Sequence, residues 1–204
     1  MLQDSLLSTV FPIMLSNLTK YNLILASQSP RRQELLRGLN IPFSVQAIDV
    51  EENYPAEIPV EEIPRYLAEK KADAYSLDEN TMLITADTIV CLDKKVLEKP
   101  RDKADAVRML SGLSGKTHEV ITGVCIRTRA KRKTFSEISR VRFAELTPEE
   151  IEFYVENYRP YDKAGAYGIQ EWIGYIGVEH IEGSFYNIMG LPIQRLYVEL
   201  KEWE

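Results

Sequence analysis

Residues 82–92, MLITADTIVCL, constrain the fold of this chain more than any other stretch. The run is nearly continuous in apolar and β-branched residues and has the length of one strand, the pattern of a strand covered on both faces. A strand of that kind needs a layer of structure above and below it, which points to helices packed on a sheet. Asp87 interrupts the run between Ala86 and Thr88. A buried carboxylate is costly unless it is paired, hydrogen-bonded or bound to a metal, and near a strand end it would be placed to hold a cation or to activate water. The plainer alternative, an aspartate capping the next loop, fits poorly with apolar sequence on both sides.

Elsewhere strand and helix signals alternate, so the class is α/β. YNLILAS is a short strand. Ser29 then caps a helix that takes Pro30 at its first position, with Leu35, Leu36 and Leu39 as the buried stripe. IPFSVQAI reads as the next strand, and residues 60–76 as a helix carrying Ile63, Leu67 and Ala74 on one face. DKADAVRMLSGL is a capped helix ending near Gly112. HEVITGVCIR and FSEISRVRF are two strands joined by TRAKRK, a solvated hairpin tip. TPEEIEFYVENY begins with a Thr147 cap and Pro148, and an amphipathic helix follows GLPI. With 204 residues, 45% of them hydrophobic, this is enough chain for one domain, or for two lobes sharing a sheet. Residues 21–204 form that unit and residues 1–20 an N-terminal extension in which Met14 is a second available start.

A formal charge of −6 argues against a nucleic-acid polymer, which calls for a basic face. One small anion needs only a local basic pocket. Cys91 and Cys125 lie in strand-like runs at no metal-ligand spacing and read as reduced core residues, hence a cytoplasmic protein. Asp4 stands where a secretory signal would be basic, and MLQDSLLSTVFPIML is too short and interrupted to span a bilayer.

The stretch LASQSPRRQELL, residues 25–36, leaves a strand and enters a helix at Ser29-Pro30, where free N–H groups and the positive end of the helix dipole attract anions. Arg31 and Arg32 in that first turn disfavour the helix unless something negative compensates. A phosphate chain held by Ser27, Ser29 and the guanidinium groups would do so; so would pairing of the arginines with nearby carboxylates. Lys71 and Lys99 are further phosphate partners, and Lys71 falls closer than Lys70 to the apolar stripe of its helix. Glu51 and Glu52 follow a strand and offer a second hard oxygen ligand beside Asp87. SGLSGKT, residues 111–117, lacks the first glycine of a P-loop and reads as a helix end turning into a strand.

In order and spacing, LASQSPRRQELL, LAEKKA, ITADTIV, LEKP, LSGKTHEVITGV, DKAGAYGIQ and GSFYNIMGLP resemble the Maf family of nucleoside triphosphate pyrophosphatases over about residues 21–197. The resemblance implies a mixed central sheet with helices forming two lobes around a deep cleft, similar to inosine-triphosphate pyrophosphatases, in a homodimer. It implies hydrolysis of a nucleoside triphosphate to the monophosphate and pyrophosphate with a divalent cation, Mg²⁺ or Mn²⁺. Carried over by position, Asp87 is the general base. Ser27, Ser29, Arg31, Arg32, Lys71 and Lys99 grip the triphosphate, and Glu51 with Asp87 holds the metal. Gln170, with Arg31 and Thr88, looks like the branch acting on dTTP and UTP. Relatives often place glycine after that glutamine, where this chain has Glu171 and Trp172. A nucleotide-binding regulator of cell division or septum formation, with incidental hydrolysis, is the competing reading.

Overall fold

Strand β3 (Thr81–Leu92) is the axis of the sheet and is buried almost throughout, as its sequence requires. A computed structural model describes residues 14–204. Residues 1–13 of the expected extension, with Asp4 and the signal-peptide and membrane-span readings made there, lie outside the described residues. Its remaining part packs on the body of the protein: Leu15 and Leu18 enter the main core, and Asn17 Nδ2 donates to the carbonyls of Leu200 and Trp203.

The described residues form one seven-stranded mixed sheet that starts at the edge strand β2 (Ser44–Val45) and continues in the order β1-β3-β5-β6-β7, with β4 also paired to β3. Strand β1 (Asn22–Leu25) runs parallel to β3. Strand β5 (Thr117–Arg127) runs antiparallel to β3 and forms a long hairpin with β6 (Arg132–Phe143), closed by the TRAKRK turn. Strand β7 (Val178–Glu182) pairs with β6. On its other edge β3 pairs with β1 only as far as Ile84. It does not pair with β4 (Lys95–Leu97) until Val90. The edge between these two pairings is open, and Asp87 lies in it.

Side chains alternate across β3. Met82, Ile84, Ala86 and Val90 join the main core. Leu83 and Ile89 face helix α2 (Ile63–Asp73), where Leu83 packs with Ala68 and Ala72, and Ile89 with Ile63 and Leu67. Thr85 Oγ1 fixes the helix against the strand by donating to the Ala68 carbonyl at 2.6 Å. Close approach depends on Gly123 of β5, the register partner of Asp87. A Cβ there would lie 2.3 Å from the backbone of Pro64 and Arg65.

Helix α1 (Pro30–Arg37) has the Ser29 cap and buries Leu35 and Leu36, with Leu39 packed partly against them. Helix α3 (Lys103–Leu113) is capped by Asp102. Helix α4 (Pro148–Tyr158) begins with a full capping box between Thr147 and Glu150. Short helices α5 (Trp172–Gly177) and α6 (Phe185–Ile188) follow, and α7 (Ile193–Lys201) closes the chain. SGLSGKT does end α3 and enter β5, turning at Gly115 with φ 68°.

Two readings are corrected. IPFSVQAI contains only a two-residue strand, β2 (Ser44–Val45), both residues exposed. It is the outer edge of the sheet, held by two register pairs to β1, and Pro42 has no N–H to extend the ladder. The helix expected over residues 60–76 is a 3-10 turn, Val60–Glu62, followed by α2, which stops at Asp73. Ala74 is therefore its exposed C-terminal cap, and Ala68 and Ala72 carry the stripe instead.

Candidate active site

The open edge of β3 is the floor of a cavity of about 1420 Å³. Ser27, Ser29, Arg31, Arg32, Glu51, Lys71, Asp87, Thr88, Lys99 and Gln170 all line it. Segments far apart in sequence thus bring every residue singled out above to one cleft.

Asp87 and Lys71 form its centre. Asp87 points from the α2 face of β3, and its side chain is 9% exposed. Lys71 continues the i, i+4 stripe of Ile63 and Leu67 one turn further, so its stem is buried while its ammonium reaches the cleft. Lys71 Nζ donates to Asp87 Oδ1 at 2.6 Å and to Glu52 Oε1 at 2.7 Å. Lys99 Nζ lies 3.6 Å from Glu52 Oε2. Burial pushes the Glu52 carboxyl up, but the hydrogen bond and charge of Lys71, helped by Lys99, outweigh it, and Glu52 is held below the ordinary glutamate range. Glu51 faces Asn53, whose Nδ2 donates to it at 3.0 Å.

The two arginines of the α1 first turn behave differently. Arg31 Nη1 pairs with Asp162 Oδ2 at 3.1 Å, the carboxylate pairing weighed for it above. Arg32 turns inward and spans the backbone beside Asp87. Its Nη1 donates to the Ala86 carbonyl at 2.9 Å, its Nη2 to Thr88 Oγ1 at 2.9 Å and its Nε to the Gly190 carbonyl at 2.7 Å. The Ala86 carbonyl lies on the open edge of β3, so Arg32 supplies a hydrogen bond that no neighbouring strand provides. Burial lowers the pKa of Arg32, with Asp87 opposing the shift, and guanidinium remains charged all the same. Ser27 Oγ accepts from Ser29 N at 3.2 Å. The Thr88 hydroxyl also meets Thr122 Oγ1 at 2.9 Å.

Gln170 also lines the cavity, and its side-chain Oε1 is buried with no hydrogen-bond partner. Its backbone carbonyl accepts from the Tyr175 hydroxyl at 3.0 Å. Turning the amide toward the cavity would pair the oxygen with a ligand donor.

A cleft lined by several cations, a buried carboxylate and a glutamine amide suits a small, highly anionic molecule with a hydrogen-bonding head. Comparison with known proteins agrees with this outline, since residues 22–203 match the family described as Maf-like protein. The chain belongs to the Maf-like family. A dTTP/UTP pyrophosphatase of Porphyromonas gingivalis is 56% identical over 195 residues, covering 93% of this chain and 98% of the relative. A dTTP/UTP pyrophosphatase of Bacteroides thetaiotaomicron is 58% identical over 192 residues, covering 93% and 100%. Among solved structures, a HAM1 protein from Coxiella burnetii is similar at 17% identity with a TM-score of 0.49, covering 90% of this chain and 100% of that one.

Of the two glutamates expected beside Asp87, the structure favours one, and Asp162 and Lys163 of this Maf-like chain gain a place that the sequence did not give them. Glu52, rather than Glu51, is the carboxylate bonded to Lys71. Asp162 and Lys163 also line the cleft, and Lys163 is buried with its Nζ 2.7 Å from Asp162 Oδ1 and 3.2 Å from Glu171 Oε1. Burial pushes Asp162 up, yet the bonds from Lys163 and Arg31 prevail and leave it below the usual aspartate range. The sequence signal for Glu52 is its place two residues from Val50 at the end of an apolar segment. For Asp162 and Lys163 there is none beyond adjacency in DKAGAYGIQ. No helix among the described residues is long and apolar enough to cross a membrane.

Proposed function

We propose that this Maf-like protein hydrolyses nucleoside triphosphates, dTTP and UTP foremost, to the nucleoside monophosphate and pyrophosphate. The observation that carries the reading is Asp87: a carboxylate buried at the open edge of β3, inside a cleft whose walls hold Ser27, Ser29, Arg31, Arg32, Lys71 and Lys99. The names of the relatives at 56% and 58% identity support the pyrimidine nucleotides as substrates.

In this mechanism the triphosphate lies along the α1 N-terminus. Ser27, Ser29, Arg31 and the free N–H groups there bind its oxygens, and Lys71 and Lys99 bind from the opposite side. Arg32 adds charge and keeps residues 86 and 88 in place around Asp87. Asp87 accepts a proton from a water that attacks the α-phosphorus. The new P–O bond forms as the bond to the β-phosphate bridging oxygen breaks, and pyrophosphate leaves with the electron pair. Cations fixed in advance around the departing charge lower the barrier without reorganisation at the moment of reaction. Gln170, with Arg31 and Thr88, selects the base, its amide able to accept from and donate to a pyrimidine edge.

The donor set suits a divalent cation. Asp87 and Glu52 share one ammonium and keep a net negative charge, and Glu51 is among the residues that line the same cleft. Mg²⁺ and Mn²⁺ need only one or two carboxylates together with phosphate oxygens. Asp87 and Glu51 would hold the ion, with Glu52 at hand. When bound it would neutralise phosphate charge and make an attacking water more acidic.

In the same reading residues 21–204 act as one domain, two lobes around the cleft, in a cytoplasmic homodimer. Exposed Phe153, Tyr175 and Ile176 on α4 and α5 offer apolar surface to a second copy, and the buried free thiols Cys91 and Cys125 suit a reducing compartment. Product analysis on dTTP, UTP, CTP, GTP, 7-methyl-GTP and ITP, with Mg²⁺ or Mn²⁺, tests the function. Monophosphate plus pyrophosphate, formed fastest from dTTP and UTP, is expected. Tight binding without turnover of any of them would instead favour a nucleotide-sensing regulator.

A further inference from the structure

Gln170 stands at the end of a loop, residues 159–171, that the chain would not hold by local preference. Gly165 and Ala166 are consecutive left-handed residues, with φ 68° and 61°, and alanine pays a steric cost there. The loop is tied from outside instead. Gly165 N donates to the Glu98 carbonyl at 3.2 Å, and the Tyr167 hydroxyl meets His118 Nε2 at 2.8 Å. Gly168 N donates to the Tyr154 hydroxyl at 3.0 Å.

Glu171 connects these ties to the rest of the cleft. Its Oε2 accepts from the same Tyr154 hydroxyl, and its Oε1 faces Lys163 Nζ at 3.2 Å. Lys163 in turn bonds Asp162, and Asp162 bonds Arg31. A continuous chain of charged and hydroxyl groups therefore runs from the first turn of α1 to the residue after Gln170. Gly168 packs directly on the Glu171 carboxylate, where a Cβ would come 2.8 Å from the carboxyl carbon. Burial and the bond to Glu171 push the Tyr154 hydroxyl far up, so it stays protonated and can donate to Glu171.

We propose that Glu171 is a positioning residue for substrate recognition: held between the Tyr154 hydroxyl and the Lys163 ammonium, it fixes the loop so that the Gln170 amide faces the base of a bound pyrimidine nucleotide. This rests on the nucleotide reading above, and it assigns base selectivity to a side chain that does not itself line the cavity. Arg31, through Asp162 and Lys163, links occupation of the phosphate end to the same brace.

The test compares wild type with Glu171→Gln, Tyr154→Phe and the double variant, measuring calorimetric binding of dTMP and dCMP and the kinetics of dTTP hydrolysis. Losing a charge-assisted tie of this kind should lower the preference for dTMP over dCMP about tenfold and raise KM for dTTP about tenfold, with kcat nearly unchanged. The two single variants should shift both quantities in the same direction, and the double variant should fall short of their product because the two side chains share one hydrogen bond. Unchanged base preference and KM in Glu171→Gln and Tyr154→Phe, with only a lower melting temperature, would overturn the proposal and leave Glu171 a structural contact. Wild type that binds dTMP selectively but releases no pyrophosphate would refute the reaction alone, with the binding series still deciding the role of Glu171. Wild type that binds neither nucleotide overturns both.

Discussion

Lys71 and Asp87 meet at 2.6 Å where α2 crosses the open edge of β3, one helical turn beyond the apolar contacts of Leu67. The pair is the end of a hydrophobic interface: the packing that seats α2 on the sheet also delivers an ammonium to the buried carboxylate. Fold and chemistry are therefore coupled at this point.

Lys71→Met keeps the buried apolar stem at this position of α2 and removes the charge. Asp87 then loses its ionic partner, and the phosphates lose a cation. Stability should fall by about 1–3 kcal/mol, as for a buried charged hydrogen bond, and kcat/KM for dTTP by roughly a hundredfold. Urea unfolding and initial-rate measurements check the two effects separately.

Gly123→Ala tests how closely α2 must approach. Its Cβ would collide with the Pro64 and Arg65 backbone, which cannot yield as a flexible side chain would. An overpacking cost of about 1–3 kcal/mol is expected, together with loss of turnover as the helix carrying Lys71 lifts from Asp87. A fully active variant of unchanged stability would contradict the coupling.

Arg31 and Arg32 should separate under mutation. Arg31→Ala breaks only a half-exposed pair with Asp162, so little stability is at stake, while substrate binding weakens and base choice blurs. Arg32→Lys cannot reach Ala86, Thr88 and Gly190 together, because that needs a planar fork. It should lower the melting temperature and kcat together. Melting curves and full kinetic profiles of both variants give the comparison.

Acid should act through His118, which burial lowers to about 4 from 6.5. One ring nitrogen meets Tyr167 and the other, Nδ1, has no partner. The unfolded chain takes up a proton below about pH 6.5 while the folded one does not until about pH 4. This contribution to stability is complete above pH 6.5 and is lost as the pH falls toward 4. Wild type should lose about 2 kcal/mol more than His118→Gln between pH 7 and pH 5. Parallel unfolding curves for the two proteins would exclude the assignment.

Much of this arrangement is written in local pattern. The apolar run around Asp87 identifies β3, the Ser29, Asp102 and Thr147 caps start their helices where side chains accept backbone N–H bonds, and the i, i+4 spacing of Ile63, Leu67 and Lys71 places the lysine. What the sequence hides depends on contacts between distant segments. Strand β2 is short because it is an edge, and α2 ends at Asp73 although Ala74 would continue its pattern. Arg32 serves carbonyls of β3 and residue 190, partners 54 and 158 positions away. Glu171 shows in the sequence only as a departure after Gln170, and its bonds to Tyr154 and Lys163 exist only once the fold brings those residues to it.

The central claim is that Asp87 directs water at the α-phosphorus, and hydrolysis of dTTP in oxygen-18 water by wild type and Asp87→Asn tests it most directly. Label is expected in dTMP and none in pyrophosphate. Asp87→Asn should fold and its turnover should fall by about a hundredfold or more, the scale of general base catalysis. Label in pyrophosphate, or a folded Asp87→Asn that turns over at the wild-type rate, would contradict that claim.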